Sequence, residues 1–120
     1  MRKPKDAGCE LFGTIRIMTE KEAEKWAIEE AKRITISVLK GHSIKTCLFG
    51  SRATGNARRF SDIDIALDAG GKPVPIALMV RLMSLLEESH IPFRVDLVDM
   101  QGVSAFVKES VKKEGQLWID

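Results

Sequence analysis

Apolar positions recur with a helical period from Ala23 through Ala27, Ala31 and Ile34 to Val38, with Trp26 beside them. Just ahead, Thr19-Glu20-Lys21-Glu22 has the form of a capping box. The threonine oxygen caps the first turn and the glutamate reaches back. A helix therefore runs from Thr19 to about Lys40, where Gly41 stops it. Ser43 to Phe49 reads as a buried strand ended by Gly50, and Asp62 to Leu67 alternates strictly. In the latter, Ile63, Ile65 and Leu67 share one face and Asp62 and Asp64 the other. A second amphipathic helix spans about Pro75 to Ser89 and carries Ile76, Met79, Val80, Met83 and Leu86. A third strand follows over Phe93 to Val98. Asp99 or Gln101 opens a last helix, through Phe106 and Val107, that ends near Gly115. The order helix, strand, strand, helix, strand, helix predicts an α/β (α+β) layer, a small mixed sheet with helices packed on one face.

Residues 1–18 lack this periodicity and are expected to be a mobile extension, with Leu11 to Ile17 a candidate edge strand; residues 19–120 form the domain. At 120 residues the chain holds one modest core. A net charge of +2 is too small to argue for a nucleic-acid partner, and no direct nucleic-acid binding is predicted. Cys9 and Cys47 form no metal-binding spacing, and Cys47 lies in the apolar run Thr46-Cys47-Leu48-Phe49. No apolar stretch approaches a membrane span, which points to a cytoplasmic protein without a membrane partner.

The carboxylates change the picture. Asp62 and Asp64, two apart on a strand, leave the same face. Asp96 in the alternating run Arg94-Val95-Asp96-Leu97-Val98 joins them if that strand lies alongside. Carboxylates held this close repel one another unless a cation lies between them. Their oxygen chemistry suits Mg²⁺, with Mn²⁺ as the alternative, and three can hold two ions. Asp99 has the opposite strand parity and is better read as a helix cap. Gly50-Ser51 at a strand exit suits phosphate, because glycine admits an anion close to the backbone and serine donates. Arg52, Arg58 and Arg59 add cationic donors in the same connection; Arg52, adjoining the serine, is taken with Gly50 and Ser51 as nucleotide-binding, whereas the other two read better as solvated loop charges. A bare Asp-x-Asp is most often a solvated strand edge. Gly-Ser upstream and Asp96 downstream reverse that preference.

The runs Leu48-Phe49-Gly50-Ser51-Arg52-Ala53 and Ser61-Asp62-Ile63-Asp64-Ile65-Ala66 resemble the signature of the DNA polymerase beta-like nucleotidyltransferases. The likeness is to their smallest branch, the minimal nucleotidyltransferase (MNT) domains, which are typically antitoxins of HEPN-domain toxins. It covers about residues 19–118. It implies that Asp62 and Asp64 bind two metal ions, that Asp96 binds one and helps deprotonate the acceptor, and that Gly50 and Ser51 hold the β- and γ-phosphates. It further implies ATP or another nucleoside triphosphate as donor and a tyrosine of a HEPN-type partner as acceptor. The chain contains no tyrosine and cannot be its own tyrosine acceptor. Two rivals stand beside this reading: a binding-only antitoxin, and an enzyme acting on a small molecule such as an aminoglycoside, completed by a homo-oligomer.

Overall fold

The computed structural model describes residues 18–58 and 61–119. The candidate strand over residues 11–17, Cys9 and Arg59 fall outside that range. Helix α1 (Glu20–Leu39) begins as its sequence dictates. The Thr19 hydroxyl accepts from the Glu22 amide at 3.1 Å, and the Glu22 carboxylate accepts from the Thr19 amide at 2.9 Å. Strand β1 (Lys45–Phe49) leads through Gly50 into the single turn α2 (Ser51–Thr54), and β2 (Ile63–Asp68) returns antiparallel. Helix α3 (Ile76–Glu88) crosses over to β3 (Val95–Asp99), which lies parallel to β2. A 3₁₀ turn at Met100–Gly102, helix α4 (Ala105–Glu114) and β4 (Gln116–Ile119) complete the chain.

The four strands are ordered β3-β2-β1-β4. Strand β4, which the sequence pattern does not announce, pairs antiparallel with β1. It turns β1 from an edge into an interior strand. Trp118 on β4 is half-buried and packs against the core.

One sheet face presents Leu48, Ile63, Ile65, Leu67 and Leu97 to α1 and α3. Fully buried Ala27 and Ala31 let the α1 backbone lie close to the sheet, with Ile34 and Val38 filling the next turns. Helix α3 uses a different stripe from the expected one. Leu82 and Leu86 are buried and Leu78 and Met79 partly so, whereas Ile76, Val80 and Met83 are 79%, 58% and 42% exposed. The segment Ile76-Ala77-Leu78-Met79-Val80 is apolar all round, so periodicity does not choose the inward face; packing against α1 does. Trp26 is likewise exposed.

The last helix starts later than expected, at Ala105, where the Ser104 hydroxyl accepts from the Val107 amide. Asp99 caps the preceding 3₁₀ turn instead. Among the described residues no helix is long and apolar enough to cross a membrane.

Candidate active site

The face of the sheet away from α1 and α3 carries the acidic cluster. Asp64 is the register partner of Asp96 across the parallel β2–β3 pair, and of Phe49 across the antiparallel β1–β2 pair. Adjacent strands lie about 4.8 Å apart, so the two carboxylates leave neighbouring backbones on one face. Asp62 immediately precedes β2 with the same parity. Asp64 and Asp96 are therefore register partners, and Asp62 precedes them on the strand parity of Asp64.

Burial raises the Asp64 carboxyl above its ordinary pKa, and the negative charges of Asp96 and Asp62 push it further the same way. None of the three aspartates has an ion pair or hydrogen-bonded cation among the described residues. This is a cluster of like charges with no paired counterion among the described residues. Among the described residues, however, no group of three or more His, Cys, Asp or Glu side chains is placed to hold a metal ion. An open carboxylate face fits Mg²⁺, which keeps several waters and takes further ligands from substrate phosphates.

Gly50 shows why this position is glycine. Its backbone has φ 77° and ψ −160°, a conformation that L side chains rarely adopt, and a Cβ there would collide with the Asp64 carboxylate. The glycine thus allows strand exit and carboxylate to share one space. Ser51 opens α2 and gives its carbonyl to the Thr54 hydroxyl and the Asn56 amide. Its hydroxyl and backbone N–H make no hydrogen bond to a described residue. Because α2 is one turn of four residues, its dipole is small. The donors themselves are what Ser51 offers an anion.

Arg52 is placed differently from the expected phosphate contact. Its side chain is only 4% exposed and pairs with Glu24 on α1 at 2.7 Å. Its Nε and Nη2 both donate to the Ser61 carbonyl, at 3.2 and 2.7 Å. The guanidinium stacks 4.0 Å from the Phe93 ring centroid. Arg58 is exposed, as expected of a loop charge. Asp99 is occupied structurally: one carboxylate oxygen accepts from the Gln101 amide and the other from the Val74 amide, both at 2.9 Å. That excludes it as the third acid. Sequence reasoning missed Glu24 and Phe93; neither carries a motif, because each matters only through Arg52.

Two clefts border these elements. The larger, about 450 Å³, lies between the first turns of α1, α2 and Phe93. The smaller, about 280 Å³, runs from Met83 and Glu87 to Asp96, the one acid of the three that lines either.

Comparison with known proteins agrees with this fold. Residues 34–120 match the family model described as polymerase beta, nucleotidyltransferase. A probable protein adenylyltransferase, MntA, of Haemophilus influenzae is 37% identical over 65 residues, covering 54% of this chain and 56% of that protein. The match thus spans little more than half the length of that relative. Among solved structures, a toxin–antitoxin with AMP-PNP superposes with a TM-score of 0.58 at 29% identity, covering 72% of this chain and 71% of the other. A minimal nucleotidyltransferase superposes with a TM-score of 0.59 at 26% identity, covering 82% and 95%.

Proposed function

We propose, for a chain that belongs to the polymerase beta nucleotidyltransferase family, that it transfers a nucleoside monophosphate from a nucleoside triphosphate to a hydroxyl on a partner protein. The favoured form is AMP from ATP onto a tyrosine of a HEPN-type toxin, with the chain acting as a cytoplasmic antitoxin. The observation that carries this reading is the register of Asp64 with Asp96, which sets two acids side by side next to Gly50-Ser51. The Haemophilus relative bears the name of a protein adenylyltransferase, and a solved toxin–antitoxin relative holds AMP-PNP. Both favour an adenine nucleotide and a protein acceptor.

In the reaction the acceptor oxygen forms a bond to the α-phosphorus while the bond from that phosphorus to the bridging oxygen breaks, releasing pyrophosphate. Asp96, exposed and lining a cleft, takes the acceptor proton. Asp62 and Asp64 complete the acidic face that would hold divalent cations, two in number by family resemblance. Bound there, such cations would supply positive charge against the phosphate oxygens. Gly50 gives the phosphate chain close access to backbone, and the Ser51 hydroxyl and N–H donate to its β- and γ-oxygens. Most of the rate comes from positioning and electrostatics.

The test is transfer of α-labelled ATP to a purified HEPN-type partner with Mg²⁺, followed by mass spectrometry of the labelled residue. We expect label on a partner tyrosine, and none with Asp62→Asn/Asp64→Asn. If that double variant silences the toxin as well as the intact chain does, binding alone accounts for neutralisation and the enzymatic reading is wrong.

A further inference from the structure

We propose that Arg52 is a positioning residue that fixes Asp62 and the approach to β3, rather than a ligand of the triphosphate. This deepens the transfer reading above and rests on it. A buried guanidinium on a one-turn helix touches three segments distant in sequence: Glu24 on α1, Ser61 before β2, and Phe93 before β3.

The contact with Ser61 matters most. Its carbonyl belongs to the planar peptide unit that also contains the Asp62 nitrogen and Cα. Two N–H bonds from one fork hold that oxygen, so they fix the plane from which Asp62 departs. Asp62 needs such a hold because it lies outside the ladder of β2, which begins at Ile63. The next anchor is the Ile63 amide, which donates to the Arg94 carbonyl at 2.9 Å. Arg52 secures the near side of Asp62 and β3 the far side. Phe93, stacked on the same guanidinium, lies three residues before Asp96, so one cation ties the approaches to both outer acids. A lysine keeps the charge but cannot present the planar fork.

The test compares Arg52→Lys with the unaltered chain by three readouts. Amide hydrogen exchange is followed at residues 61–63. Mn²⁺ affinity is measured by electron paramagnetic resonance with α,β-methylene ATP present. ATP affinity is measured in EDTA. We expect the fold to be retained at a lower unfolding temperature, and the Ser61 and Ile63 amides, which donate to the Arg58 and Arg94 carbonyls, to exchange faster. Mn²⁺ affinity should fall about 10-fold, the scale for losing an outer partner of a metal ligand. ATP affinity without metal should be unchanged. A 10-fold loss of metal-free ATP affinity with unchanged Mn²⁺ binding and exchange makes Arg52 a phosphate ligand and overturns the proposal.

Should Arg52→Lys fail to fold, Glu24→Gln, which leaves both Ser61 bonds in place but unpairs the guanidinium, is read in the same way. It should shift exchange and Mn²⁺ affinity in the same direction by less, and no shift overturns the proposal. Asp64→Asn is the control that separates the two readings. If it binds Mn²⁺ and transfers AMP as the unaltered chain does, the transfer reading fails. If it abolishes both while Arg52→Lys changes nothing, only the positioning role fails.

Discussion

Replacing Asp64 by asparagine should make the metal-free protein more stable. Asparagine keeps the shape that fits against Gly50 and removes one of three neighbouring charges. At the spacing of adjacent strands, about 5 Å, an effective dielectric between 20 and 80 gives about 1–3 kcal/mol of repulsion per pair. Asp96 is exposed and solvent screens it, so the lower end applies, about 1 kcal/mol. For a domain of this size that is about 4 °C in unfolding temperature. The pH dependence has a definite sign. A carboxyl whose folded pKa is raised contributes stability below its ordinary value of 3.8 and loses that contribution as pH rises through the folded value. The advantage of Asp64→Asn is therefore absent well below the ordinary value of 3.8 and grows as pH rises through the raised folded value. Thermal unfolding in EDTA at several pH values measures it. An asparagine variant that unfolds at or below the temperature of the unaltered chain at pH 7 would refute the picture of an uncompensated acidic cluster.

Two further outcomes follow from the geometry. Gly50→Ala should cost about 1–3 kcal/mol by urea denaturation, because a strained φ and a clash with Asp64 add, and AMP transfer should fall well beyond what the lost stability explains. Leu82→Ala, at a fully buried position of α3, should cost about 2–5 kcal/mol, whereas Ile76→Ala on the exposed side should stay within about 0.5 kcal/mol; a larger cost for Ile76→Ala would mean the helix packs by the other stripe.

How much of this was legible in the chain depended on whether the deciding interaction was local. The Thr19–Glu22 box spans one turn, and both its bonds form as read. The alternation of Ile63, Ile65 and Leu67 put the aspartates on the opposite face without knowledge of any neighbour. Other features required knowing who packs where. The four residues of β4 have no alternation, and only pairing with β1 makes them a strand. Helix α3 is apolar at so many positions that α1 had to choose its inward side. Arg52 adjoins a phosphate-type motif and invited a phosphate role, yet its partners come from Glu24, 28 positions earlier, and from Phe93, far downstream. A motif identifies which residues gather but not which way a long flexible side chain turns.

The pairing of Phe49 with Asp64 has a consequence for insertions and deletions. Lengthening the connection near the exposed Gly55-Asn56 tip adds only a small closure entropy and leaves both strands in register. Deleting one residue within β2 before Asp64 slips the side-chain parity and turns the carboxylate toward Leu48 and the helices. The number of residues between serine and first aspartate is thus a soft quantity, and the odd–even count along the strand is a hard one. A chain of this kind could drift in loop length and keep its chemistry, but a single-residue deletion at the wrong end of that loop would bury the acid in oil.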